Sequence, residues 1–383
     1  MTFSGFDLDD ELRDLAALVA DFVAREIVPA EAALAPEARR LPDDTLAALR
    51  SRARAIGLWC LDAPEEYGGG GLGAFESVVV WEQACKHRFC FPIAGAGVFG
   101  HTPPVVLYAG TPEQIEQWVR PAIAEGWTGF SAVAEPSGGT DPARAIRTTA
   151  TRTDDGWVLD GTKLWITHAD RARYGVVYAR TESGISAFVL QTDTPGVTVT
   201  PIPMLRDSWP SEIRLEQCRL PADALIGEEG RGLALAGAWL DKGRLSYAAR
   251  AVGVAEESMR IAGAWARERE TFGASLASRQ AIQVAFAEAR VAVDAARLLT
   301  WRAAWLADEQ RPEARRATAM AKLSATETAF GVVDQMMQVL GAMGLARELP
   351  LESWFRDLRS ARLIEGSSEI LRDVIGREEL RAD

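Results

Sequence analysis

Apolar residues recur at helical spacing near the start of the chain. A stripe with intervals near three and four residues begins at Leu12 and continues to Phe22 and Val23. It predicts an amphipathic helix that Pro29 ends. The sequence Thr-Pro-Glu-Gln at 111–114 predicts a second helix start, because threonine can cap, proline can take the first helical position and glutamine can complete a capping box. We therefore expect residues 1–126 to form an N-terminal helical domain.

The pattern changes near residue 145 to short runs that are rich in β-branched residues. Segment 157–165 contains two apolar runs around Asp160-Gly161, a pair typical of a β-hairpin turn. Further strands are predicted at 175–179, 185–191, 197–202 and 212–218. About six strands without helices between them predict an antiparallel β-barrel or sandwich. We assign this middle β-domain to residues 127–228.

Helical spacing returns from about Arg231, in longer segments. One apolar stripe steps by four and three residues from Ile282 to Thr300, and another runs from Phe330 to Leu340. Turn signals separate these segments at 272–273, 311–312 and 341–344. The pattern predicts a C-terminal four-helix bundle over 229–383. The chain is thus expected to have an α+β fold with three domains.

Composition and charge exclude several classes of protein. The chain has 383 residues and a formal net charge of -12, and a field of that sign repels nucleic-acid phosphates. No apolar run approaches the ~18 residues that a membrane span needs. The acidic residues at the start of the chain, among them Asp7 and Asp9, are unlike a targeting peptide, and 4 cysteines fit a reducing compartment. We expect a cytoplasmic protein that binds neither nucleic acid nor membrane.

Two motifs suggest a cofactor or a metal but lack the context that either needs. Residues 95–100 spell Gly-Ala-Gly-Val-Phe-Gly, yet Pro103 follows where a dinucleotide-binding helix would continue. We interpret them as small residues for close packing. Cys85, His87 and Cys90 lack a clear fourth ligand for zinc, and we interpret them as buried thiols beside an exposed histidine. No metal site is predicted.

Residues suited to binding a redox cofactor, and a carboxylate that a substrate could reach, occur in several other segments. An indole such as that of Trp165 suits a flat redox cofactor, and the hydroxyl of Thr167 suits its polar edge. Arg269 offers a bidentate donor for a pyrophosphate. Glu365 places a carboxylate in a predicted loop that a substrate could reach. The segments are Phe-Ser-Ala-Val-Ala-Glu-Pro-Ser-Gly-Gly-Thr-Asp (130–141), Gly-Thr-Lys-Leu-Trp-Ile-Thr (161–167), Arg-Glu-Thr-Phe-Gly (269–273), Gln-Val-Leu-Gly-Ala-Met-Gly (338–344) and Ile-Glu-Gly-Ser-Ser-Glu-Ile (364–370).

In this order and spacing, the segments resemble the acyl-CoA dehydrogenase family of FAD-dependent flavoproteins over nearly the whole chain. The resemblance implies an acyl thioester lying between the flavin ring and a glutamate. Glu365 matches that glutamate, which removes the α-proton while the β-hydrogen leaves as hydride to the flavin. Some members carry the base immediately before an arginine of a C-terminal helix. The matching arginine is Arg244 and the residue before it is Gly243, which favours Glu365.

The resemblance also assigns contacts to the cofactor and the substrate. Positions that match flavin contacts are Ser131, Val133, Ala134, Trp165, Ile166, Thr167, Ser367 and Glu369. Positions that match contacts to the FAD of a neighbouring subunit are Arg269, Phe272, Gln280, Gln338 and Gly341, which implies a homotetramer or a homodimer. Positions near the acyl-CoA are Thr140, Asp241 and Arg244.

Some alternatives stay open at this level. Ala134 stands where many relatives carry threonine, Ala342 replaces a usual glycine, and Trp209-Pro210 is an unusual pair. The primary interpretation is a dehydrogenase that passes electrons to an electron-accepting flavoprotein. The alternatives are an acyl-CoA oxidase, a dehydrogenase of acyl-carrier-protein thioesters, and a non-catalytic member that binds acyl-CoA or a partner. The acyl group itself is not defined by the sequence.

Overall fold

The structure of the protein is a computed structural model that describes residues 8–91 and 93–380. Asp7 and the residues before it, part of the acidic N-terminus, lie outside the described residues. The chain divides into two compact units. The first comprises the chain up to Leu58, Leu72–Phe99 and the chain from Asp241, and the second comprises Trp59–Gly71 and Gly100–Leu240. The three-domain division at 126 and 228 stays a prediction.

Twelve α-helices form the largest part of the described chain. They span Asp10–Phe22 (α1), Val28–Ala32 (α2), Asp43–Ala55 (α3), Ala74–Ala84 (α4), Pro112–Gln114 (α5), Arg120–Glu125 (α6), Pro142–Ala145 (α7), Gly232–Glu268 (α8), Gln280–Asp308 (α9), Ala314–Leu340 (α10), Leu351–Ala361 (α11) and Ser368–Glu379 (α12). The predicted capping box is confirmed at the start of α5, where the Thr111 amide donates to Gln114 Oε1 over 2.9 Å.

The first helix does not stop at Pro29, contrary to the prediction. A π-helical turn over Val23–Ile27 joins α1 directly to α2. Pro29 falls in the first turn of α2. Proline is tolerated at such a position because the backbone N–H it lacks would have no regular helical acceptor there.

The strands of the second unit form one eight-stranded sheet. They span Gly129–Ala132 (β1), Thr149–Thr153 (β2), Gly156–Ile166 (β3), Tyr174–Thr181 (β4), Gly184–Gln191 (β5), Val197–Pro201 (β6), Ser211–Pro221 (β7) and Leu225–Ile226 (β8). The sheet order is β6-β7-β3-β2-β4-β5-β8, and β1 pairs with β4. Because β1 and β2 both run parallel to β4, the sheet is mixed rather than purely antiparallel as predicted.

The predicted hairpin at Asp160-Gly161 is wrong. Both residues lie inside the continuous strand β3, and the chain turns at 154–155 instead. A Cβ at Gly161 would lie 2.4 Å from Thr148 Oγ1, so the glycine permits a close approach rather than a turn. Trp165 therefore lies near the end of a long strand, and Thr167 directly follows that strand.

Apolar side chains cover both faces of β4, which explains its near-continuous hydrophobic sequence. Val176 and Tyr178 belong to one apolar cluster together with Trp118, while Val177 and Ala179 belong to another. Successive residues of a strand point to opposite faces, so each cluster packs on its own side of the sheet. The sheet is therefore a firm support for the loops at the end of β3.

The C-terminal stripes form helices as predicted. Val293 and Thr300 of α9 and Val333 and Leu340 of α10 are buried. The break at Phe272 is the tip of a short hairpin formed by Glu270–Thr271 (β9) and Ala274–Ser275 (β10). After residue 229 the described chain contains five α-helices, α8–α12, one more than the number that we predicted, because the loop at 362–367 separates α11 from α12.

Both rejected motifs have structural explanations. Ala94–Gly97 is a short 3₁₀ helix, and a Cβ at Gly95 would lie 2.4 Å from the Phe99 ring. His87 is buried and its Nδ1 lies 2.7 Å from Glu31 Oε1, so the expectation that it would be exposed is wrong. Among the described residues, no group of three His, Cys, Asp or Glu side chains could hold a metal ion. No helix in the described ranges is long and apolar enough to cross a membrane.

Candidate active site

The loop between α11 and α12 presents Glu365. The Ser368 amide donates to the Arg362 carbonyl over 3.0 Å and closes the loop. Ser367 caps α12, with its hydroxyl 3.5 Å from the Ile370 amide. Glu365 lies two residues before this N-cap and is thus held in an ordered turn.

The backbone at Glu365 is unusual and is held by two buried cations. Glu365 has a φ of 55° and Gly366 a φ of 95°, so two successive residues adopt left-handed conformations. For a non-glycine residue such a conformation costs about 1–2 kcal/mol. Arg244 Nε donates to the Glu365 carbonyl over 3.1 Å, and Lys322 Nζ donates to the Gly366 carbonyl over 2.9 Å. These two hydrogen bonds help to offset the cost.

The side chain of Glu365 keeps an oxygen available for chemistry. The residue is half-buried, and its Oε2 atom is buried without a hydrogen-bond partner in the part of the chain that the structure describes. Burial raises the pKa of Glu365 to about 7, although the positive charges of Arg244, Lys322 and Arg250 oppose the rise. A carboxyl group with a pKa near neutrality and an uncommitted oxygen can accept a proton from a bound substrate.

The alternative position for the base lies next to the same carboxyl group. A Cβ built on Gly243 would lie 2.9 Å from Glu365 Cδ. Any side chain at position 243 would therefore displace Glu365 or be displaced by it. Gly243 therefore leaves the space that the Glu365 carboxyl group occupies.

In the second unit, two of the predicted flavin-contacting segments come together. The Leu164 amide donates to the Ala134 carbonyl over 2.9 Å, which joins the segment after β1 to the end of β3. Trp165 has a φ of 64° and is 51% exposed, so its indole ring is accessible to a ligand. Ile166, in contrast, is buried in the core of the sheet. Its side chain therefore supports the site from beneath.

An ion pair that the sequence analysis missed lies beside this segment. Lys163 Nζ is 2.7 Å from Glu135 Oε1, and both side chains are almost completely buried. Glu135 also accepts hydrogen bonds from the amides of Arg147 and Thr148. Burial alone would raise the pKa of Glu135, but Lys163 and these donors outweigh burial and lower it. The two residues lie in the motif segments 130–141 and 161–167, and only their burial reveals the pair.

The polar atoms of the second unit fit a flavin. Ser131 Oγ is buried without a hydrogen-bond partner among the described residues. Arg206 is 3% exposed, and its Nη2 lies 3.5 Å from Thr167 Oγ1. Its Nε and Nη1 atoms are buried and, within the described chain, have no acceptor. Buried donors of this kind need acceptors, and the carbonyl and nitrogen atoms of an isoalloxazine ring can supply them.

The remaining predicted residues fall into two groups. Asp241 pairs with Arg244 over 3.1 Å, which joins two predicted substrate contacts to the Glu365 loop. Thr140 and Glu369 are exposed. The residues predicted to reach a neighbouring subunit are all exposed: Arg269, Phe272, Gln280, Gln338 and Gly341. Because α9 and α10 are consecutive and joined by a short connection, Gln280 and Gln338 lie toward the same end of that helix pair.

Comparison with known proteins gives matches along the whole chain. Residues 9–126, 131–218 and 230–380 match the models of the N-terminal, middle and C-terminal domains of acyl-CoA dehydrogenase. The mitochondrial short-chain specific acyl-CoA dehydrogenase of Homo sapiens is 37% identical over 394 residues, which cover 99% of this chain and 92% of that protein.

Two solved structures extend this similarity to the fold. Butyryl-CoA dehydrogenase from Megasphaera elsdenii is 29% identical with a TM-score of 0.87, over 98% of this chain and 100% of that one. A glutaryl-CoA dehydrogenase from Mycobacterium smegmatis, solved in complex with FADH2, is 27% identical with a TM-score of 0.87, over 97% of this chain and 95% of that one.

Proposed function

Because this chain belongs to the acyl-CoA dehydrogenase family, and is therefore an oxidoreductase that uses FAD and acts on CH–CH groups, we propose that it α,β-dehydrogenates an acyl-CoA thioester with Glu365 as the base. The observation that carries this proposal is the buried, unpartnered Oε2 atom of Glu365 on a backbone that two cations fix.

The mechanism requires a proton acceptor that is matched to a weak carbon acid. The α-proton of a thioester is far less acidic than a carboxyl group in water, so an exposed glutamate would be a poor base. Burial raises the pKa of Glu365 to about 7. This narrows the difference between the pKa of the carboxyl group and that of the thioester α-carbon. FAD, when bound, supplies the acceptor for the β-hydride. We infer that Ser131, Trp165 and Thr167 orient it.

The test is an anaerobic titration of the FAD-bound protein with a panel of thioesters. Butyryl-CoA and glutaryl-CoA are natural first members, since relatives are named for them, and an acyl-carrier-protein thioester covers the alternative carrier. Loss of the oxidised flavin absorbance with at least one thioester supports the proposal, whereas no loss with any of them contradicts it. Stoichiometric hydrogen peroxide under air would instead identify an oxidase.

The pH dependence of flavin reduction follows from the pKa of Glu365. Only the deprotonated carboxylate can take the α-proton, so the apparent second-order rate constant for reduction should be level at high pH. It should fall about tenfold per pH unit below an inflection near pH 7. Stopped-flow absorbance between pH 5 and 9, in roughly half-unit steps, measures the profile. An inflection near the ordinary glutamate value would show that burial does not tune this group.

Arg206 gives a prediction about cofactor binding. We propose that its buried Nε and Nη1 donors bind flavin acceptor atoms beside Thr167. Arg206→Met should then weaken FAD binding about tenfold or more, as expected for the loss of charged hydrogen bonds worth about 1.5–3 kcal/mol. Equilibrium dialysis or fluorescence titration of the apoprotein measures the change. Arg152→Met removes a largely exposed cation from the same unit and should leave FAD affinity unchanged; equal losses in both variants would contradict the assignment.

We further propose that the protein acts as a homotetramer or a homodimer, with an electron-accepting flavoprotein as the oxidant. The hairpin tip Phe272 is 100% exposed, and burial of its phenyl ring against another surface would be favourable. On α9, Val284, Val291 and Leu298 are also exposed at intervals of seven residues, which supports contact with a second copy.

All four cysteines are free and buried, in keeping with the proposed cytoplasmic location. The human relative is named as mitochondrial.

A further inference from the structure

The Glu365 loop is clamped from one side by α10. Lys322 donates to the Gly366 carbonyl over 2.9 Å. One and a half turns further along the helix, Glu327 accepts a hydrogen bond from Ser368 Oγ over 2.6 Å and pairs with Arg362 over 2.8 Å. Contacts to Arg362 at the start of the loop, to Gly366 within it and to Ser368 just after it therefore come from a single helix. Of these contacts, the one made by Lys322 is nearest in sequence to the reacting carboxyl.

Burying the ammonium group of Lys322 costs free energy that a purely structural hydrogen bond would not require. The residue is completely buried, and burial lowers its pKa to about 8, although the carboxylates of Glu365, Glu327 and Glu369 oppose this and Arg244 adds to it. The acceptor it reaches is a neutral carbonyl, which many uncharged side chains could satisfy. A buried ammonium adds what those side chains lack, a positive charge close to Glu365.

We propose that Lys322 is a positioning residue for the base. It holds the left-handed Gly366 peptide and so aims the Glu365 carboxyl, and its charge stabilises the carboxylate without bonding to it. This inference rests on the proposed function of Glu365. The positive charge of Lys322 acts on Glu365 together with those of Arg244 and Arg250 on α8. The negative charges of Glu327 and Glu369 act on Lys322 itself.

The direct test is Lys322→Met in the FAD-bound protein. Loss of the peptide contact should slow flavin reduction by acyl-CoA about 10²-fold, the effect of a small misplacement of a reacting group. Loss of the charge should move the inflection of the pH profile upward from about 7. FAD affinity should not change. A variant that is less stable but keeps the wild-type rate and inflection would overturn the inference, because a merely structural lysine predicts that result.

Three further variants keep the result interpretable. Arg297→Met removes a cation that pairs with Glu82 and Glu256 in the same unit, so it should lower stability and leave the inflection in place. If Lys322→Met does not fold, Lys322→Gln retains a neutral donor without the charge, and an unchanged inflection in that variant overturns the inference. Glu365→Gln is measured in parallel. Wild-type flavin reduction in that variant would overturn the proposed function itself. If Glu365→Gln does not reduce its flavin while Lys322→Met keeps the wild-type rate and inflection, only the role of Lys322 is overturned.

Discussion

Glu365→Gln is expected to bind FAD normally and to lose flavin reduction by acyl-CoA roughly 10³–10⁴-fold, the upper range for a general base. The amide is nearly the same size as the carboxyl, so the left-handed turn and its hydrogen bonds from Arg244 and Lys322 should persist. What is lost is the proton acceptor. The measurement is the anaerobic rate of flavin bleaching, with the FAD content of the purified variant checked by absorbance.

Two control variants define what that result means. Glu365→Asp keeps an acid but withdraws it by one methylene, so it should retain an intermediate rate and a pH-dependent profile. Glu348→Gln alters an exposed carboxyl in the same unit and should leave the rate unchanged. Flavin bleaching by Glu365→Gln at the wild-type rate would assign the base to another residue.

Lys163→Met is expected to destabilise the protein by about 3–5 kcal/mol, the cost of leaving one partner of a buried ion pair uncompensated. Glu135 would keep its hydrogen bonds from the amides of Arg147 and Thr148. It would lose the ammonium group of Lys163, whose Nζ atom lies 2.7 Å from Glu135 Oε1. Because Glu135 directly follows Ala134, the segment that joins the end of β3 should loosen as well, and FAD should bind more weakly. Denaturant unfolding of the full chain, followed by tryptophan fluorescence, measures the loss of stability.

The double variant Glu135→Gln/Lys163→Met separates charge from packing. Removing the carboxylate as well eliminates the uncompensated charge, so part of the lost stability should return. Arg13→Met breaks an exposed ion pair with Asp10 and should cost no more than about 1 kcal/mol. If Lys163→Met were as mild as Arg13→Met, the pair would contribute little to the unit.

Local sequence patterns were sufficient wherever a short-range rule governs the structure. The capping box at Thr111 depends on atoms three residues apart, and the stripes of α9 and α10 depend only on helical periodicity, so both were predictable. The same rules misplaced other features. Asp160-Gly161 looks like a turn, but Gly161 is needed because Thr148 lies against it, and Pro29 is accommodated by the π-helical turn before it.

The sequence by itself determined the family, the identity of the candidate base and the order of the motifs, because these are properties of residue types at fixed spacing. The tertiary structure decided how the base is made usable. Arg244 and Lys322 lie 121 and 44 positions in sequence from the backbone atoms they hold, and no local pattern encodes such a contact. The same applies to the Glu135–Lys163 pair and to the unsatisfied donors of Arg206. The energetic importance of these groups comes from burial, and burial exists only after distant segments have packed together.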